Sequence, residues 1–124
     1  MSRVLVIDDD ELLRRFVVAL LERWNYVQST DNDEAGIKLA GETVFDLTIT
    51  DLGLPGISGL ETIKQIRRDK RDIKILVVSG SGSSKGDSLD DPGRLGADAA
   101  LCKPFEPVDF LTVVAGLVKP PGQG

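Results

Sequence analysis

The 124-residue chain has no histidine, one cysteine, one methionine, one tryptophan and one tyrosine, and aromatic residues make up only 5% of it. Each shortage excludes something. Without histidine no side chain has an ordinary pKa near neutrality, so Ser-His-Asp and Cys-His catalysis cannot be assembled within the chain. A lone Cys102 cannot close an internal disulfide, and with no second cysteine and no histidine it cannot anchor a zinc site. It is expected to be a small buried hydrophobe. No apolar run approaches the roughly 20 residues that span a bilayer. The N-terminus opens into a strand-like segment rather than a signal-peptide pattern, so a cytoplasmic protein with no membrane contact is expected. Basic charge is also short: the net charge is −5 and the pI about 4.7. A polyanion is repelled on average and no basic stripe marks a phosphate-backbone footprint, so direct nucleic-acid binding is not expected. Any chemistry must run on carboxylates, hydroxyls and lysine.

What is present is the composition of an ordinary water-soluble domain, with 41% apolar and 28% charged residues. The length suits one core. A single domain over residues 1–118 is expected, with 119–124, which carries Pro120-Pro121-Gly122, as a tail or linker.

Hydrophobic patterning alternates between two periods. Residues 3–7, Arg-Val-Leu-Val-Ile, form a β-branched apolar run that stops at three aspartates, the pattern of a strand buried on both faces. Leu12, Leu13, Phe16, Val17, Leu20, Leu21 and Trp24 then recur with helical spacing, with Arg14, Arg15, Glu22 and Arg23 on the other side. The alternation continues with a strand near 27–30, a helix near 33–42, a strand at 45–50 and a helix from about 59 with Leu60, Ile63 and Ile66 inward. Further strands are read at 73–79 and 99–102. A last helix follows, which Pro107 can start, with Phe110, Leu111, Val114 and Leu117 as its apolar set. Five strands alternating with helices predict a doubly wound α/β fold, a parallel sheet covered on both faces. The stretch 80–96 departs from the pattern. It is rich in Ser, Gly and Asp, and Pro92-Gly93 falls where a fourth helix belongs. Proline inside a helix costs about 3 kcal/mol and glycine about 1 kcal/mol, so that helix is expected to be short or irregular.

In an open α/β sheet the ligand site lies beyond the carboxyl ends of the strands. The first strand ends in Asp8-Asp9-Asp10, the third in Asp51 and the fourth in Ser79, and Lys103 follows the fifth. If the first and third strands are neighbours, at least three carboxylates converge. Two such charges about 5 Å apart repel by roughly 3 kcal/mol at an effective dielectric near 20, which a hard divalent cation would offset. A solvent-open Mg²⁺ site on Asp8 and Asp9 is therefore expected. Asp10 is the candidate N-cap of the first helix. The Ser-Gly stretch 80–86 is not a phosphate-binding loop, because no Gly-Lys-Ser/Thr follows at the required spacing.

Four ordered segments carry a resemblance: Val-Leu-Val-Ile-Asp-Asp-Asp-Glu (4–11), Thr-Asp-Leu-Gly-Leu-Pro-Gly-Ile-Ser-Gly-Leu-Glu (50–61), Val-Val-Ser-Gly (77–80) and Cys-Lys-Pro-Phe (102–105). Over residues 2–118 the chain resembles the receiver domain of two-component response regulators. The resemblance implies a flavodoxin-like five-stranded parallel sheet of order 2-1-3-4-5. It also implies a phosphorelay module rather than a conventional enzyme, catalysing only its own Mg²⁺-dependent phosphorylation and dephosphorylation. Asp51 would be the phosphoacceptor. Asp9 and Asp51 would ligate Mg²⁺ directly with the Gly53 carbonyl, and Asp8 mostly through water. Ser79 would hydrogen-bond the phosphoryl group, Lys103 would pair with its oxygens, and Lys103-Pro104 would be a cis bond. The implied partners are a sensor histidine kinase or histidine phosphotransfer protein, and an output domain or protein on the face made by the irregular fourth helix, the fifth strand and the last helix.

Two features depart from the pattern. Ala100 stands where the family usually has Tyr or Phe, so the hydroxyl-to-aromatic relay cannot run as usual. Gly53 and Ser81 are both small at positions that tune hydrolysis, which predicts an acyl phosphate that does not persist for hours. Two alternatives stay open: a haloacid-dehalogenase-like phosphatase, whose Asp-x-Asp-x-Thr/Val signature Leu12 breaks, and a receiver-like binding module that no longer uses phosphorylation.

Overall fold

The computed structural model describes residues 2–51, 59–69, 72–79, 96–102 and 105–118. Gly53, Pro55, Gly56, Ser81, Lys103, Pro104, the Ser- and Gly-rich stretch 80–95 and the tail 119–124 lie outside the described residues, as does the side chain of Ser79. The expectations that rest on them, including the cis bond and the irregular helix, lie there too.

Five strands are observed: β1 (Ser2–Ile7), β2 (Asn25–Thr30), β3 (Leu47–Asp51), β4 (Lys74–Ser79) and β5 (Ala99–Cys102). They pair in parallel in the order β2-β1-β3-β4-β5. The helices of the described residues are α1 (Glu11–Glu22), α2 (Asp33–Glu42), α3 (Gly59–Asp69) and α4 (Pro107–Leu117). This is the doubly wound α/β fold that the alternation predicts, with the strand order that the resemblance implies. β2 begins two residues earlier than its apolar run, because Asn25 and Tyr26 pair with Ser2 and Arg3 of β1 and backbone pairing does not require apolar side chains. β3 starts at Leu47 instead of residue 45, since Phe45 packs into the core ahead of the ladder.

Side chains alternate across a strand, so one sheet builds two cores. On one face Leu5, Ile7, Ile75 and Val77 pack against Ala40 of α2 and Ile63 and Ile66 of α3. On the other, Val4, Val6, Leu47, Ile49, Leu76 and Val78 pack against Val17 and Leu21 of α1 and Phe110 and Val114 of α4. Each fully buried aliphatic or phenyl group contributes about 1.5–3 kcal/mol of transfer free energy. Gly36 brings α2 close to the sheet: a Cβ there would meet Ile7 Cδ1 at 2.3 Å.

Two apolar expectations are corrected. Leu12 and Phe16 of the α1 stripe are exposed, because the buried face of α1 runs through Leu13, Val17, Leu20 and Leu21 and leaves 12 and 16 on its flank. Cys102 is exposed rather than buried, because it ends the edge strand β5, which has a neighbour on one side only.

At the opposite end of the sheet from the aspartates, Arg67 of α3 donates to the carbonyls of Ile73 and Gly96 and to the Asp98 carboxylate at 2.9 Å. Asp98 also accepts the Ile75 N–H at 2.8 Å. One guanidinium thus ties α3, the start of β4 and the entry to β5. Partial burial raises the Asp98 pKa, but the Ile75 hydrogen bond and the Arg67 and Lys74 charges outweigh it, and the net shift is downward.

Candidate functional site

The register of β1 and β3 sets the site. Ile7 pairs with Thr50, so Asp8 leaves β1 alongside Asp51 at the end of β3. Carboxylate oxygens of Asp8, Asp9 and Asp51 all lie within 4.8 Å of one another. Asp8 and Asp51 are 6% and 7% exposed, whereas Asp9 is open to solvent. At that spacing each pair repels by roughly 3 kcal/mol at an effective dielectric near 20.

The Asp8 turn is pinned on several sides. The Asp8 N–H donates to the Thr30 carbonyl of β2 at 3.1 Å, and the Asp8 carboxylate accepts the Asp10 N–H at 2.9 Å. Asp10 in turn accepts the Leu13 N–H at 3.1 Å through its side chain and the Arg14 N–H at 2.8 Å through its carbonyl. Asp10 is therefore the N-cap of α1, as expected, and stands outside the carboxylate trio. The capping hydrogen bond turns the chain so that Asp9 projects outward while Asp8 stays beneath.

The donor set suits a hard cation. It offers three oxygens and no sulfur or nitrogen, two of them on buried residues and one facing water. Two oxygens on one Mg²⁺ lie about 4.2 Å apart at most, so a trio spread over as much as 4.8 Å fits some direct ligation and some through water.

The neighbouring strands bring the Ser79 backbone and the end of β5 to the same edge. Asp51 pairs with Val78, placing the Ser79 backbone one step beyond it on β4, and Ser79 pairs with Cys102, the residue before Lys103. Ala100 pairs with Val77 and packs, half-buried, against the core on the α2 and α3 face. One contributor is absent from the sequence reading, which puts Arg14 on the polar side of α1. Its Nη1 instead donates to the Asp8 carbonyl at 2.8 Å. The signal available was an arginine in the first turn of the helix that follows the acidic corner.

The family model described as response regulator receiver domain matches residues 4–115. The chain belongs to that family. In sequence it is similar to the response regulator ArlR of Staphylococcus saprophyticus, 31% identical over 122 residues covering 96% of this chain and 53% of that protein. The response regulator TrrA of Thermotoga maritima, solved in complex with Mg²⁺ and BeF, is 31% identical with a TM-score of 0.82, covering 95% of this chain and all of that one. A response regulator from Burkholderia pseudomallei, solved with a phosphorylated aspartic acid, a calcium ion and citrate, is 30% identical with a TM-score of 0.80, covering 96% and 68% of the two chains. The chain spans about half the length of the curated relatives it matches. As a receiver domain it is a phosphoacceptor signalling module, and the phosphatase alternative finds no support. No helix of the described residues is long and apolar enough to cross a membrane.

Proposed function

We propose that Asp51 is the phosphoacceptor of this receiver domain and that Asp8, Asp9, Asp51 and the Gly53 carbonyl hold Mg²⁺ beside it. The carboxylate trio at the end of β3, with Asp51 buried and Asp9 facing water, carries this reading. The metal and phosphorylated or beryllium-fluoride states of the TrrA and Burkholderia relatives support it.

The donor would be a phosphohistidine of a sensor kinase or phosphotransfer protein. An Asp51 oxygen attacks phosphorus in line, the new P–O bond forms as the P–N bond breaks, and the imidazole leaves with the electron pair. The chain's part is placement. β1 and β3 fix two carboxylates in register, and the Asp10 cap holds the turn from β1 into α1. Ser79 would donate to a phosphoryl oxygen, and Lys103 would supply positive charge to another. A bound Mg²⁺ supplies the further charge that three crowded anions and a phosphoryl group require. Water attack on the acyl phosphate restores Asp51. The domain would act in the cytoplasm and pass its state to an output partner through the face bearing β5 and α4, with Ala100 leaving a smaller group at the position usually aromatic.

Incubation with acetyl phosphate and Mg²⁺, followed by peptide mass spectrometry, tests this. A gain of one phosphoryl group on Asp51, abolished in Asp51→Asn and by chelation, is expected. Incorporation at Asp8 instead, or none at all with intact fold, overturns it.

A further inference from the structure

Arg14 makes one contact that neither ion pairing nor solvation explains. Its guanidinium is half-buried and donates to the backbone carbonyl of Asp8 at 2.8 Å, and no carboxylate of the described residues pairs with it. The neighbouring Arg15 makes the ordinary choice, an exposed pair with Glu11 one turn away at 2.9 Å. An arginine beside a cluster of acids would gain Coulomb energy by taking one of them. Arg14 instead takes a neutral acceptor, the Asp8 carbonyl.

We propose that Arg14 is a positioning residue of the metal site, its guanidinium holding the Asp8 carbonyl so that the Asp8–Asp9 turn presents both carboxylates toward Asp51. This rests on the Mg²⁺ reading above. Several hydrogen bonds hold the turn. The Asp8 N–H is held by Thr30, the Asp8 carbonyl by Arg14, the Asp8 side chain by the Asp10 N–H, and Asp10 by the first turn of α1 that also carries Arg14. Removing the guanidinium takes away the side-chain hydrogen bond that holds the Asp8 carbonyl. The Asp8–Asp9 peptide could then rotate about its flanking dihedrals, and the trio would have to be gathered again each time a cation binds. Groups that orient metal ligands in this way are typically worth about 10- to 100-fold in affinity.

The sign of the effect separates positioning from charge. A fixed positive charge next to a cation site weakens binding, so if Arg14 acted only through its charge, Arg14→Gln would bind Mn²⁺ or Mg²⁺ more tightly and Arg14→Lys would be unchanged. Positioning predicts the reverse. The shorter glutamine and the single ammonium of lysine both lose the bond across the turn, and both variants should bind roughly tenfold more weakly.

The experiment is titration of the full chain with Mn²⁺, followed by calorimetry or paramagnetic broadening, for wild type, Arg14→Gln, Arg14→Lys and Arg67→Gln. Arg67 ties the far end of the sheet, so its variant reports what lost stability alone does to binding. Weakening in both Arg14 variants with Arg67→Gln near wild type is the expected result. Unchanged or tighter binding in Arg14→Gln, or an equal loss in Arg67→Gln, overturns the proposal. Amide exchange at Asp10 in metal-free protein is the second readout: it should quicken at least several-fold in Arg14→Gln, and unchanged exchange refutes the clamp. If wild type itself fails to bind metal, the Mg²⁺ reading falls and the role of Arg14 in that site falls with it, whereas loss confined to the Arg14 variants concerns Arg14 alone.

Discussion

The three carboxylates differ in burial. Asp8 and Asp51 are buried and Asp9 reaches solvent, yet their oxygens lie within 4.8 Å of one another. In metal-free protein that crowding opposes folding. Asp51→Asn removes one charge from two repelling pairs, so it should raise the metal-free melting temperature by a few degrees, about 1 kcal/mol after solvent screening. Added Mg²⁺ should stabilise wild type by a margin that shrinks in the variant, which thermal melts with and without the cation will show. A variant that melts lower than wild type in chelator would contradict the repulsion. Gly53 and Ser81 would bear on the lifetime of the phosphorylated state. With small residues at both positions, phosphorylated protein freed of donor should lose its label within minutes to an hour, and decay over many hours would count against free water access.

At the scale of elements, caps and crossings decide more than propensity. Asp10 caps α1 and also donates its own N–H to Asp8. Asp10→Ala should cost about 1 kcal/mol by denaturant melt. The Arg67 and Asp98 tie gives a pH dependence of definite sign. Asp98 has a lowered pKa in the folded protein, so the unfolded chain takes up its proton first as acid is added. Its stabilisation is complete above the ordinary carboxylate range near 4 and is lost as pH falls through the lower folded value. Both partners are partly exposed, so the contribution is modest. Acid titration of stability should therefore be shallower below pH 4 in Asp98→Asn than in wild type, and parallel curves would show the tie to be inert. On the core side, Phe110 is fully buried against Phe105, with ring centroids 5.4 Å apart, and Phe110→Ala should cost about 3–5 kcal/mol.

The whole molecule is a sheet with unequal strands. All of β3 is buried, whereas β2, at one edge, alternates between exposed and half-buried residues. Hydrogen exchange should therefore open β2 well before β3, with β1 and β4 close to β3. Equal protection across the sheet would show that it opens only as a unit. The same inequality explains which readings of the sequence held. Central strands carry continuous apolar runs because both their faces are covered, and β1 and β4 are found within a residue of their expected limits. Edge strands are marked by pairing instead of by side chains, which is why β2 extends beyond its apolar residues and why Cys102 faces solvent.

The sequence by itself determined the alternation of strands and helices, the cap at Asp10 and the chemistry of the acidic corner. These depend on periodicity, local hydrogen bonding and residue type, all of which are written along the chain. Only the tertiary structure decided that β1 and β3 are neighbours in a register that brings Asp8 and Asp9 to Asp51. It also decided that Arg14 spends its charge on a backbone carbonyl and that Arg67 reaches across to Asp98. Those contacts join residues distant in sequence or set by the angle at which a helix leaves the sheet. Side-chain spacing does not encode that angle, because it is fixed by how both cores close at once.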